Sequence, residues 1–389
     1  MEPIYLDHNA TTPVDPEVVD AMLPFLYNKF GNASSVHATG RDAKVALEKA
    51  REIIAEVINC EPSELYFTSG GTESDNIAIL GTAYRLWDKK RHLIVGAAEH
   101  HAVLEPAEYL AHTEGFELNF LPVDKEGFSS GDSLAALLRE DTLIVSVMHA
   151  NNETGTIQDI AALTAVTHDH KCLFHTDAVQ STGKVKVDVK AMGVDMASIT
   201  AHKIYGPKGI GALYVRAGVK VWPLFYGGAH EKKRRPGTEN VAGAVGFAKA
   251  LEVALRRQES DYNKMSELAD YFIDKVTDTI PDVVLNGPRK NRVPQTMNIS
   301  FKGIEGESIV LALDLKGIAC SSGSACTSGA TEPSHVLKAM GVDPILAQGA
   351  IRFSIGRSTT RDQLDHVLSV LPEVIGKLRE MSPVYSREK

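Results

Sequence analysis

Lys203 closes the run Ser198-Ile199-Thr200-Ala201-His202-Lys203, and shortly upstream stands His175-Thr176-Asp177-Ala178-Val179-Gln180. Both segments read as buried apolar strands that break into polar tips. A lysine that forms an imine with pyridoxal phosphate (PLP) needs a carboxylate elsewhere in the site, to keep the pyridine nitrogen protonated so that the ring accepts electrons. Lys203 and Asp177 have the residue types for those two roles. A solvated charge at a strand end is the plainer reading of the same lysine.

Three further constellations carry chemistry. In Thr68-Ser69-Gly70-Gly71-Thr72-Glu73-Ser74-Asp75 a strand passes through two glycines into an amphipathic helix. Gly71 lets the backbone approach a phosphate, and the free amides of the helix start, with the Thr72 hydroxyl, can surround its oxygens; an ordinary glycine turn with a threonine cap fits the same residues. His100 follows a strand end at Glu99, where its ring can stack on a planar cofactor and shuttle protons near neutral pH. The loop Ser321-Ser322-Gly323-Ser324-Ala325-Cys326-Thr327-Ser328-Gly329-Ala330 surrounds one thiol with small residues. Such a loop is expected to be mobile and to carry a reactive Cys326 toward a substrate and away again. Arg352, the one cation in the apolar strand Ala350–Ser354, calls for an anion, either a substrate carboxylate held bidentately or a structural salt bridge.

These residues need a scaffold. Short β-rich runs at Leu65–Thr68, Leu93–Val95, Leu143–Val147, Leu173–His175 and Ile210–Val215 alternate with helical patterns, which predicts a mostly parallel sheet sandwiched by helices. The stretch Ala38–Ile58 reads as an amphipathic helix, with arginine and glutamate on its outer face. A long helical region from Val241 to about Ile280 is expected to break near Ser260-Asp261, and a final helix starts at Arg361 behind a Thr360/Gln363 capping box. The expected division is a large domain over 14–256 and a smaller α+β domain from 1–13 and 257–389.

Composition narrows the function. At 389 residues with 43% hydrophobic and 23% charged side chains, the chain is an ordinary globular one. A formal charge of −9 argues against a nucleic-acid partner bound through a general basic surface, and Lys232-Lys233-Arg234-Arg235 reads mostly as a solvated loop. The most apolar long stretch, Val241–Leu255, is too short and too charged for a membrane span. The first residues carry no targeting pattern, so a cytoplasmic location is expected. Four scattered cysteines without a CxxC pair fit neither a disulfide framework nor a zinc ribbon, and no metal is expected. Gly183-Lys184 and Gly206–Gly211 lack the context of nucleotide-binding loops.

Taken together these segments resemble the cysteine desulfurases of the nitrogen-fixation and iron–sulfur-cluster type, within the aspartate-aminotransferase-like fold (PLP fold type I). The resemblance runs from Tyr5-Leu6-Asp7 and Ala10-Thr11-Thr12-Pro13 through Ser69–Asn76, Glu99-His100, Asn151-Asn152-Glu153, His175–Gln180, His202-Lys203, Arg235–Thr238 and Ser321–Ser328 to Arg352-Phe353-Ser354. It implies that Lys203 joins PLP, Asp177 pairs with the pyridine nitrogen, Asn152 and Gln180 contact the ring hydroxyl, and His100 stacks on the ring. Gly71, Thr72, Thr200 and His202 would hold the phosphate, with Thr238 reaching in from a second subunit of a homodimer. Arg352 and Asn152 would hold the carboxylate of L-cysteine, Lys203 would remove the Cα proton, and the Cys326 thiolate would take the sulfur as a persulfide and leave alanine. An iron–sulfur scaffold or another sulfur-acceptor protein would receive that sulfur. Thr200 stands where serine is frequent and keeps the hydroxyl, while Cys320 leaves an oxidative disulfide with Cys326 open. A selenocysteine lyase or a catalytically silent sulfur-transfer partner are the competing readings.

Overall fold

A computed structural model of the chain describes residues 3–322 and 333–386. In chain order the strands are β1 (Ile4–Tyr5), β2 (Leu65–Thr68), β3 (His92–Gly96), β4 (Glu117–Leu121), β5 (Thr142–Ser146), β6 (Leu173–Asp177), β7 (Met196–Thr200) and β8 (Gly211–Val215). They continue with β9 (Val283–Asn286), β10 (Thr296–Phe301), β11 (Ile318–Ala319), β12 (Ser321–Ser322) and β13 (Ala350–Ser354).

Seven of them form one sheet in the order β2-β8-β7-β6-β5-β3-β4. All are parallel except β8, which runs antiparallel to both β2 and β7. The five strand runs read from the sequence between Leu65 and Val215 are all in it, whereas Ala350–Ser354 is β13 of the second sheet. Along them successive side chains point to opposite faces, so Ile94, Val145, Phe174 and Ile199 bury in one apolar layer while Leu93, Val95, Ile144 and Met196 bury in the other. Parallel direction brings the ends of β2, β5, β6 and β7 to one edge of the sheet, the position at which open α/β sheets bind ligands. Edge strand β4 alternates in sequence from Glu117 to Phe120, yet Phe120 is exposed and only Leu121 is fully buried.

The second sheet, β12-β13-β10-β9, is antiparallel, and β1 pairs in parallel with β11 beside it. Ile4, Leu6, Met297, Ile299, Phe301, Ile351 and Phe353 share its core with the helix Arg361–Met381, whose Thr360/Gln363 capping box forms as expected. Phe272 meets Phe353 edge to face at 5.2 Å. Among the described residues no helix is long and apolar enough to cross a membrane.

The expected break at Ser260-Asp261 does not occur: Val241–Thr279 is one helix of 39 residues, about 58 Å long. Its first half, from Val241 to Leu251, packs on the large sheet, and its second, from Met265 to Val276, on the small one. Neither glycine nor proline interrupts it there, and tertiary contacts override the poor helix propensity of the pair. Ser260 Oγ donates back to Arg257 O at 2.9 Å, and buried Asp261 accepts from Arg357 Nε at 2.6 Å. Arg357 also reaches Asp15 at 3.5 Å and lies over the Tyr205 ring. Another difference concerns Arg51, placed on the outer face of Ala38–Ile58: it is buried, with its guanidinium on Glu231 at 2.7 Å.

Asp261→Ala leaves Arg357 with its weaker partner only, and is expected to lower stability by about 2–4 kcal/mol in urea unfolding of the cofactor-loaded protein. A loss under about 0.5 kcal/mol would assign the helix's continuity to its apolar faces alone.

Candidate active site

Close approach shapes the glycine turn. A Cβ on Gly71 would meet Val179 Cγ2 at 2.8 Å, and one on Gly211 would fall 2.7 Å from Gly70 Cα. Side chains at either position would push apart the end of β2, the start of β8 and the loop after β6. The turn is braced from within: Thr68 Oγ1 and Ser74 Oγ share a hydrogen bond of 2.8 Å, and Ser74 Oγ donates to Gly70 O at 3.1 Å. Glu73 accepts from the Ser69 amide at 2.6 Å and is held by Arg235 at 2.8 Å. The helix Gly71–Leu86 therefore starts with its amide end open beside the half-buried turn and the exposed Thr72, an arrangement suited to an anion.

Thr200, the last residue of β7, lies against this turn; its Oγ1 donates to Ile210 O at 3.2 Å and sits 3.9 Å from where a Gly70 Cβ would stand. Two residues on, His202 Nδ1 pairs with Thr11 Oγ1 at 3.2 Å. Burial, then the charges of Lys203, Lys208 and Lys184, lower its pKa to about 4, so the ring is neutral near pH 7. Lys203 Nζ donates to the backbone carbonyls of Asn9 and Ala10, the latter at 2.7 Å.

Asp177 ends β6, and its Oδ1 accepts from the Val179 amide at 2.8 Å. Burial raises it to about 6, against the opposing pull of that amide and of Lys203. Behind it His175, fully buried, bonds Ser146 Oγ at 2.8 Å and Ser198 Oγ at 3.0 Å and lies 3.6 Å from Asp75. Burial brings His175 down to about 3, and burial together with Asp177 pushes Asp75 up.

The small sheet supplies the opposite wall. Arg352 Nη2 pairs with Asp7 at 2.9 Å and Nη1 donates to Asn152 O at 3.3 Å, so the structural salt bridge foreseen as one alternative is present. Arg352 Nε and Asn152 Oδ1 are buried without a hydrogen-bond partner among the described residues, and such groups call for a polar ligand. Gln180 has both ends engaged, Nε2 on Asn9 O at 3.0 Å and Oε1 on Lys184 at 2.8 Å. His100 caps the helix His101–Thr113 by accepting the Ala102 amide on Nδ1 at 3.0 Å. That bond leaves the proton of the neutral ring on Nε2. The ring is open to the cleft yet crowded by protein, and burial followed by Lys203 lowers its pKa to about 4.

Gly71, Thr72, Thr200, His202, Lys203, Asp177, Gln180, Asn152, Arg352 and His100 are thus carried by the strand ends and loops around one edge of the large sheet and the facing wall of the small one. A buried carboxylate, an orphaned carboxamide oxygen, an orphaned guanidinium nitrogen and an amide-lined glycine turn fit PLP and an amino-acid carboxylate. Thr238 is exposed, three residues past Arg235. In the basic run Lys232 and Lys233 are exposed, whereas Arg234 stacks on Tyr66 at 4.5 Å and Arg235 pairs with Glu73, so the run is only half solvated.

Cys326 lies outside the described residues. Its flanks are engaged at the cleft: Ser321 pairs across the sheet with Arg352, Ser334 Oγ donates to Glu153 Oε2 at 2.6 Å, and His335 Nε2 bonds Glu99 O at 2.8 Å. Cys320 is buried, which pushes its thiol up to about 12. Sequence reasoning missed Asn9, Asp7, Glu153 and Lys184. Asp7 stood in a quoted motif without a role, and Asn9 acts partly through its backbone carbonyl, which no side-chain type signals.

The family model for class-V aminotransferases matches residues 4–367. A cysteine desulfurase IscS of Dictyoglomus turgidum is 52% identical over 99% of this chain and 97% of its own length, and a human cysteine desulfurase is 45% identical over 99% and 84%. Among solved structures, a NifS-like protein superposes with a TM-score of 0.91 at 38% identity, covering 97% of this chain and all of its own. Another, described as SspA in complex with cysteine, has a TM-score of 0.82 at 33% identity over 92% of this chain and all of its own. The fold is the aspartate-aminotransferase-like one of PLP enzymes. Matched along nearly its whole length by sequence and by structure, the chain belongs to the class-V aminotransferase family and, within it, to the PLP-dependent cysteine desulfurases.

Proposed function

We propose that the protein converts L-cysteine to L-alanine, with the sulfur passing to Cys326 as a persulfide. What carries the reading is the convergence on one cleft of Lys203, the buried Asp177 and the open helix start at Gly71, facing the orphaned polar atoms of Asn152 and Arg352. PLP, joined through Lys203, supplies an electron-accepting ring there. Gly71, Thr72, Thr200 and His202 would hold its phosphate, and Asp177 would pair with the pyridine nitrogen.

Arg352 binds the substrate carboxylate through Nε while Asp7 and Asn152 O fix the other two nitrogens. Lys203 Nζ would accept the Cα proton. His100, neutral at working pH with its proton on Nε2, would stack on the cofactor ring. The Cys326 thiolate would then form an S–S bond to the substrate sulfur as the Cβ–S bond breaks; Cβ keeps the electron pair and takes a proton, and Lys203 returns the Cα proton to complete alanine. Cys326 stands four residues beyond Ser322, whose neighbour Ser321 pairs with Arg352.

A homodimer, with Thr238 reaching the partner's phosphate site, is part of the same proposal. Exposed Leu26, Tyr27, Phe30, Val36 and Tyr226 favour a partner surface. Residues 14–256 would form the large domain and 1–13 with 257–389 the small one. The persulfide would pass to an iron–sulfur scaffold or another acceptor protein in the cytoplasm.

With L-cysteine and a reductant, the protein should release alanine and sulfide in equal amounts, and Cys326→Ala should lose on the order of a hundredfold of both. Alanine formed at the wild-type rate by the variant would move sulfur transfer away from Cys326.

Asp177 yields a second expectation. Its pKa is raised in the folded chain, from an ordinary value of 3.8 to about 6. The proton it holds therefore stabilises the fold at low pH, and that stabilisation is lost as pH rises through about 6. Asp177→Asn keeps the neutral form at all pH values. Without cofactor, the variant should be more stable than wild type by about 2–3 kcal/mol at pH 8, with the gain fading between pH 6 and 4. Its turnover should fall on the order of a thousandfold. A variant that unfolds in urea like wild type at pH 8 would show that Asp177 bears no burial penalty.

A further inference from the structure

A second lysine stands beside Lys203, and the chemistry assigned above does not use it. Lys184 Nζ donates to Gln180 Oε1 at 2.8 Å, Gln180 Nε2 donates to Asn9 O at 3.0 Å, and the same carbonyl receives Lys203 Nζ. One carboxamide and one backbone carbonyl thus join the two lysines. The ends of a carboxamide are alike in shape and opposite in role: Oε1 accepts and Nε2 donates. What faces them decides the direction. Asn9 O, which also receives Lys203 in this structure, faces Nε2. An ammonium has no lone pair, so Lys184 admits only Oε1.

We infer that Lys184 is a positioning residue for the reaction, fixing the Gln180 carboxamide so that its Nε2 hydrogens face Asn9 and the Lys203 side of the cleft. This role rests on the assignment of Lys203 and Gln180 to the cofactor. Held in that direction, Gln180 presents an N–H to the oxygen on the cofactor ring and favours its ionised form; a reversed amide would set lone pairs against it.

The surroundings support the role. Burial, with the cations of Lys203 and Arg352, lowers Lys184 to about 7, and Lys184 in turn lowers His8 and His202. A cavity of about 30 Å³ lies between Lys184 and Lys203, a size for about two water molecules. Both ends of the buried Gln295 amide and Gln258 Nε2 have no partner among the described residues and border this cavity, as do Asp261 and Arg357. Below pH 7 the ammonium admits one amide direction; above it the amine's lone pair relaxes the constraint.

The test is a double-mutant cycle read by the pH midpoint of the cofactor's visible absorbance in the loaded enzyme, without substrate. Lys184→Met is expected to raise that midpoint by about one pH unit. In a Gln180→Ala background the same substitution should move it by less than half as much, because the group it acts through is gone. Lys184→Arg, which keeps donors and charge, should stay near wild type. Lys184→Gln can offer either end of its amide and should resemble Lys184→Met, which guards against a folding defect peculiar to one variant. Equal shifts in both backgrounds would make Lys184 a distant charge and overturn the positioning role, as would no shift in either. Failure of the underlying assignment has its own signature: hydride reduction of wild type would then label a lysine other than Lys203.

Discussion

A carboxylate kept in the dry interior at the end of β6 sets terms for the residues around it. Ionised Asp177 is unfavourable where it sits, and its neighbours behind, Asp75 and Glu99, are buried carboxyls whose pKa values are also pushed up. A layer of acids under the cleft floor becomes tenable only opposite positive charge. Lys203 supplies part of that to Asp177 from the chain, and under the proposed function a protonated pyridine ring would supply more. The backing of His175 by Ser146 and Ser198 keeps a neutral imidazole between the acids, so the charge of the floor is governed by Asp177. Destabilising the empty site is the counterpart of making it select a cation.

Two sheets must meet for this site to exist, and their joint is polar. Asp7 bridges to Ser354 beside β13 and holds Arg352, whose guanidinium reaches across to Asn152 O. Asn9 adds Nδ2 bonds to Asn152 O at 3.0 Å and to Thr296 Oγ1 at 2.7 Å. A short N-terminal segment therefore ties the strand that carries Arg352 to the loop that carries Asn152. The 39-residue helix does the same mechanically, with one half in each core and Asp261 paired to Arg357 between them. Misplacing reacting groups by an ångström costs orders of magnitude in rate, so such bracing bears directly on catalysis.

What could be read from the sequence follows a simple division. Strand runs that break into polar tips are written in one-dimensional pattern, and so are glycines before a helix; Lys203, Asp177 and the Gly70-Gly71 turn were legible for that reason. Arg352 was legible as a lone cation in an apolar strand, and its two alternatives, anion binding and salt bridge, were left open because Asp7 lies 345 residues away. Backbone carbonyls carry no residue signature, which hid the acceptors of Lys203. Lys184 looked like a fragment of a failed nucleotide motif because its partner, Gln180, was read only toward the cofactor. Asp261, inside the continuous helix, pairs with Arg357, a residue from a different part of the chain that the local pattern does not announce.

The segment before Thr238 extends the same logic to strain. Glu231, Lys232 and Lys233 have φ of 42°, 55° and 65°, a left-handed run that costs non-glycine residues about 1–3 kcal/mol each. It holds because its first residue is over-determined: Glu231 takes two bonds from Arg51, at 2.7 and 2.8 Å, and one from the Phe67 amide at 3.0 Å. Arg51 itself donates to Leu65 O at 2.8 Å, so the anchor is fixed to β2, the strand that ends in the glycine turn. Arg235, beyond the strained run, closes on Glu73 at the other side of that turn. The stretch Glu231–Arg235 is thus pinned at both ends to the phosphate-binding candidate of its own chain while Thr238 is left projecting into solvent. The strain is thus held in place by the same contacts that brace both sides of the glycine turn.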